Sequence, residues 1–105
     1  MKYDVIYTKR AFGELQGIRD YIESTLLAPD AAQNIADKIM TAIEQLDEMP
    51  YKFPLYEKEP WRGRGLRKIS VENFTVFYMP VEKQAQVAVI SIMYGGRNIA
   101  ELLNN

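Results

Sequence analysis

Hydrophobic and polar positions alternate from Lys2 to Thr8, with Tyr3, Val5 and Tyr7 on one side and Asp4 and Ile6 between them, the period of a strand. Thr8 is then placed to cap a helix. From there Ala11, Phe12, Leu15, Ile18, Ile22 and Leu26 recur at three- and four-residue steps, which predicts a helix with one buried stripe. Gly13 and Gly17 weaken it by up to about 1 kcal/mol each relative to alanine. Ala28-Pro29-Asp30 breaks the pattern and opens a second helix, with proline in its first turn and an acid at the positive end of the dipole. Its apolar face is Ala32, Ile35, Ile39, Ile43 and Leu46, with Ala36, Ala42 and Met49, and Met49-Pro50 ends it. A short break between two amphipathic helices reads as an antiparallel hairpin.

Three prolines make residues 50–64 a loop. Its aromatics, Tyr51, Phe53, Tyr56 and Trp61, either anchor it to the body or face a partner, and anchoring is the reading preferred. Three strands follow. A two-residue turn at Glu72-Asn73 would set Val71 opposite Phe74, Ile69 opposite Val76 and Arg67 opposite Tyr78. The Ile69/Val76 side would then pack on the helices, and the side carrying Leu66, Lys68, Ser70, Thr75, Phe77 and Met79 would be more open. Pro80 is expected to stop the second of these strands. Gln86 to Met93 is apolar on both faces, as a central strand would be. Arg97 to Leu103 adds a helical turn or two. The prediction is one α+β domain over residues 1–105: an N-terminal strand, a two-helix antiparallel hairpin, and a three-stranded antiparallel meander.

Composition narrows the chemistry. The 105 residues include no cysteine and no histidine, which removes disulfides, thiolate catalysis, Ser–His–Asp and Cys–His arrangements and the commonest metal ligands. No clustered carboxylate pattern suggests a metal, and no cofactor is expected. The start of the chain resembles no leader, and no apolar run approaches a membrane span, so a cytoplasmic, non-membrane protein is expected. Net charge is only −1 but unevenly spread. Residues 10–48 hold eight acids and three bases, whereas residues 58–68 hold five bases and one acid. That segment suits an anionic partner, and Lys58, Arg62, Arg64 and Trp61 are the candidate contacts for a protein or nucleic acid; the plainer reading is a solvated charged face.

Gly63-Arg64-Gly65 and Gly95-Gly96 lack the strand–loop–helix context of a phosphate cradle and read as turns. One catalytic route remains without histidine. RNA cleaves itself when its 2′-OH attacks the adjacent phosphate, and a protein assists by fixing the in-line geometry and placing cations on the developing charge. Lys68, Arg67 and Arg97, with Tyr94 to position or relay a proton, are the candidates for that role.

The order of these features carries a resemblance. A first strand and two helices end in Leu-x-x-Met-Pro; Gly-Leu-Arg-Lys, a Val-Phe-Tyr strand and Gly-x-Arg-Asn-Ile-x-x-Leu-Leu follow. Over roughly residues 2–103 the chain resembles the RelE/ParE superfamily of type II toxin–antitoxin toxins, often called plasmid stabilisation proteins. The resemblance implies a helical hairpin packed on a mostly antiparallel sheet. It also implies a cognate antitoxin that wraps the toxin in a hetero-oligomer with an extended or helical acidic segment. Two activities occur in that superfamily: RelE-type members cut mRNA in the ribosomal A site, and ParE-type members poison DNA gyrase. Lys68 falls at a basic position of the RelE branch and Arg97 at its arginine after the last strand. Thr75 replaces a strand arginine of that branch, and Leu103 stands near its late tyrosine. The tail is closer to the ParE type. Gyrase poisoning is therefore the first expectation, with a metal-independent ribosome-dependent endoribonuclease, or a non-toxic antitoxin-binding member, as alternatives.

Overall fold

The computed structural model describes residues 2–95. Strand β1 (Asp4–Tyr7) leads into helix α1 (Lys9–Asp20), whose end widens into a π-helical turn, Tyr21–Thr25. Thr8 caps α1 as its position predicts: Oγ1 accepts from the Ala11 N–H at 3.2 Å and donates to the Val89 carbonyl at 2.9 Å. One side chain thus closes the helix and ties it to the sheet. Helix α2 (Pro29–Glu44) carries Pro29 in its first turn and ends in a 3-10 turn, Gln45–Asp47. A four-residue helix α3 (Trp61–Arg64) precedes β2 (Arg67–Val71), β3 (Phe74–Val81) and β4 (Gln86–Tyr94).

The fold is α+β, a helical hairpin on a mostly antiparallel four-stranded sheet of order β1-β4-β3-β2. Strand β4 is central, paired antiparallel with β3 and parallel with β1, which accounts for its apolar character on both faces. The β2–β3 hairpin has the expected register, Val71 opposite Phe74, Ile69 opposite Val76 and Arg67 opposite Tyr78. Ile39, Ile43 and Leu46 from the helices and Ile69, Val76, Tyr78, Val87, Val89 and Ile92 from the sheet form the main core.

Four expectations need correction. Pro80 does not stop β3, which runs to Val81 opposite Gln86. Beyond Tyr78 the strand has lost β2 as a neighbour, so its outer side is an edge where a missing N–H breaks no ladder. The 50–64 segment is not all loop, since α3 lies inside it. The Lys68 side of the sheet is covered at one end, where Trp61, Leu66, Phe77 and Met93 form a second buried cluster. Phe12 and Leu26 are exposed rather than core, because only Ala11, Leu15 and Ile18 of the α1 stripe meet the sheet. A bulge leaves Ile90 unopposed, because Phe77 pairs with Ser91 while Tyr78 pairs with Val89.

Candidate functional site

Alternation along β2 sends its two adjacent cations to opposite faces of the sheet. Arg67 shares a side with Ile69, Tyr78 and the helices; Lys68 shares the other with Leu66 and Phe77. Arg67 is engaged in holding the loop before α3. Its Nη1 donates to the Phe53 carbonyl at 2.6 Å, and the guanidinium lies 5.0 Å from the centre of the Tyr51 ring. The same loop is held from beneath by the buried Tyr78 hydroxyl, which donates to the Pro50 carbonyl at 2.9 Å.

A third tie is a carboxylate shared by two tyrosines. The hydroxyls of Tyr3 and Tyr51 both donate to Glu82, at 2.8 and 2.5 Å, joining the chain start, the loop and the β3–β4 connection. Those bonds hold the Glu82 carboxyl below its usual range and push Tyr51 up to about 12, with Tyr3 raised as well.

On the opposite face Lys68 Nζ pairs with Glu57 at 3.0 Å and lies 5.9 Å from the Tyr56 ring centre. The bond to Lys68 is the main reason the Glu57 carboxyl is lowered. Helix α3 stands beside this pair. Trp61 is only 7% exposed, so it anchors α3, and the Arg64 guanidinium lies over its ring at 5.2 Å. The turn out of α3 needs Gly65 at φ +91°, and Glu59 accepts from the Gly63 N–H at 2.5 Å. Lys58, Arg62 and Arg64 are exposed. Thr75 is half-buried between Ser70 and Met93 by register, where it offers a hydroxyl and no charge.

Tyr94 joins neither cation. It is 58% exposed and meets Phe74 edge to face at 5.4 Å, at the hairpin end of the sheet. Arg67 lies opposite Tyr78, four residues along β3 from Phe74, roughly 13 Å at the usual strand rise. The proposed RNA-cleaving set is therefore dispersed: Lys68 is separated by the sheet from Arg67, and Tyr94 is at the far end. Arg97, and Leu103 with it, lies outside the described residues.

Sequence reasoning missed a groove of about 850 Å³ between α1 and the hairpin end of the sheet. Tyr21, Ile22, Leu26, Phe74, Ile92 and Tyr94 line it with mostly apolar surface. Glu14 explains why it is there. The β1–β4 pairing ends at Tyr7 and Val89, and beyond that point the Glu14 carboxylate takes the place of a strand. It accepts from the Ile92 N–H at 3.1 Å and the Ser91 hydroxyl at 2.9 Å. The signal in the sequence was the surplus of large apolar residues at the end of the first helix, Tyr21, Leu26 and Leu27, more than one stripe can bury.

Among the described residues no cluster of carboxylates could hold a metal ion, and no helix is long and apolar enough to cross a membrane. No curated protein matches the chain in sequence. Solved structures share its fold. The chromosomal ParDE system from P. aeruginosa superposes with a TM-score of 0.73 at 18% identity, over 90% of this chain and 98% of that one. The E. coli RelBE toxin–antitoxin complex gives 0.62 at 17%, over 90% and 99%. The RelBE2 complex from Mycobacterium tuberculosis gives 0.62 at 14%, over 90% and 99%. Residues 5–99 match the family model of the ParE toxin of the type II toxin–antitoxin system parDE. The chain belongs to the ParE toxin family, within the RelE/ParE superfamily of type II toxins.

Proposed function

We propose that this chain is a toxin that acts by binding, with DNA gyrase as its target, and that a cognate antitoxin neutralises it in the cytoplasm. The observation that carries the reading is the separation of Arg67 from Lys68. Transition-state charge on one phosphate is stabilised by groups that converge on it, and here one cation is spent on Phe53 and Tyr51 while the other faces away with Glu57 as its partner. The ParE family match points the same way.

The antitoxin seat we favour is the groove beside α1. An apolar cleft with Tyr21, Leu26 and Tyr94 exposed at its rim suits the apolar side of a partner segment, and acidic residues of the same partner would meet Lys58, Arg62 and Arg64. The solved relatives include toxin–antitoxin complexes.

Pulse labelling of cells minutes after induction of this chain alone tests the target. The reading expects thymidine incorporation to fall before amino-acid incorporation. An immediate stop in protein synthesis with DNA synthesis intact would favour a ribosome-dependent ribonuclease instead.

A further inference from the structure

The helices cover one face of the sheet, and the other has an unusual centre. Ile6 stands opposite Ala88, and Ala88 opposite Met79, so these three form a row across β1, β4 and β3. Val5 and Tyr7 pack on the helix side, and so do Val87, Val89 and Tyr78; alternation turns the row the other way. Ile6 is 41% exposed, while Ala88 and Met79 are half-buried. Ile90, the unopposed residue of the bulge, extends the row towards the Trp61 cluster. A sheet face left to water normally carries polar side chains. Here the central row is aliphatic across three strands, and the polar positions, Asp4 on β1 and Lys68 and Ser70 on β2, lie to either side of it.

Charge borders it on two sides, with the exposed Asp4, two residues before Ile6 on β1, at one edge and a cluster of cations at the other. Lys68 lies on the same face, and Lys58, Arg62 and Arg64 sit on and beside α3 at its rim. Lys68 is paired with Glu57, but among the described residues no carboxylate pairs with Lys58, Arg62 or Arg64. An aliphatic centre with a cluster of cations at one edge matches the anatomy of a protein interface, with an apolar core and a charged rim. It does not match a nucleic-acid track, which needs cations along its length or rings offered for stacking. The rings here, Tyr56 and Phe77, are turned edge to face on each other at 5.7 Å.

We propose that the open sheet face is where this toxin engages its target protein. The partner's surface would present an apolar centre to Ile6, Ala88 and Met79, and acidic groups to Lys58, Arg62 and Arg64. This rests on the reading that the chain acts by binding and adds the surface used. It places the target on the open face and the apolar part of the antitoxin on the helix side, with Lys58, Arg62 and Arg64 used by both, so that the antitoxin would compete with the target for these cations.

The test immobilises purified gyrase holoenzyme and measures binding of the purified chain, with mRNA-programmed ribosomes as the second probe. Ile6→Glu and Met79→Glu are expected to weaken gyrase binding by ~30-fold or more, the scale of a central interface residue. Thr41→Glu, on an exposed turn of α2, should bind as wild type. If Ile6→Glu melts early, Ile6→Thr keeps the β-branched shape and should still lose several-fold. Variants that melt normally and bind gyrase within about twofold of wild type would overturn the surface assignment alone. A wild-type chain that ignores gyrase and binds programmed ribosomes would overturn both the target reading and this surface.

Discussion

Arg67 offers the sharpest separation of a structural role from a catalytic one. Its guanidinium bonds the Phe53 carbonyl at 2.6 Å and covers the Tyr51 ring at 5.0 Å, so it clamps the loop that carries α3. Arg67→Met keeps the aliphatic stem and removes both interactions. A hydrogen bond from a charged donor contributes about 1.5–3 kcal/mol, and a cation–π contact at a partly exposed site about 0.5–1 kcal/mol. Taking the lower part of those ranges, because the guanidinium is partly exposed, gives about 2 kcal/mol. For a domain of this length that lowers the melting temperature by roughly 10 °C. Thermal unfolding followed by circular dichroism reads the loss, and amide exchange should quicken between residues 50 and 56. Growth inhibition at a temperature where the variant is folded should persist. A variant that melts like wild type, or one that is folded and no longer toxic, would refute the argument.

Other variants probe the remaining elements. Leu26→Glu alters a side chain that is 57% exposed, so stability should move by less than about 0.5 kcal/mol, while antitoxin affinity falls by ~30-fold in a titration; unchanged affinity would remove the groove as the seat. Ile39→Asp puts an unpaired charge at a fully buried position and should cost more than about 4 kcal/mol, leaving no cooperative melt; a normal melt would mean the core is elsewhere. The Glu82 clasp should carry a pH signature. Its lowered carboxyl contributes stability above the unfolded value of 4.5, lost as pH falls through the folded pKa. The raised Tyr51 contributes below 10.0, lost as pH rises through about 12. The stability gap between wild type and Glu82→Ala should therefore be level between about pH 5 and about pH 9 and shrink on either side; a gap that widens in acid would contradict the clasp.

Much of the fold was written in short-range patterns. The Glu72-Asn73 turn allowed one register, and every pair in the hairpin follows from it. The apolar run of β4 announced its central place. What lay beyond such patterns was set by neighbours distant in sequence. Pro80 is tolerated because β2 begins at Arg67 and leaves the end of β3 without a partner on that side. The groove exists because β1 ends at Tyr7 and Glu14 of α1 takes over. The candidate site shows a different limit. Alternation already separated Arg67 from Lys68, yet shared charge and the family resemblance grouped them as one catalytic set. Only the contacts of Arg67 with Phe53 and Tyr51 gave it another occupation. Trp61 was legible as an anchor but not as the centre of a second cluster, since Leu66 reaches it from the turn before β2, and Phe77 and Met93 from β3 and β4.

The most direct measurement incubates the purified chain with purified gyrase and supercoiled plasmid, and in parallel with mRNA-programmed ribosomes. The account predicts loss of supercoiling activity or trapped DNA breaks with gyrase, and intact mRNA on the ribosome. Cleaved mRNA with gyrase unaffected would contradict it.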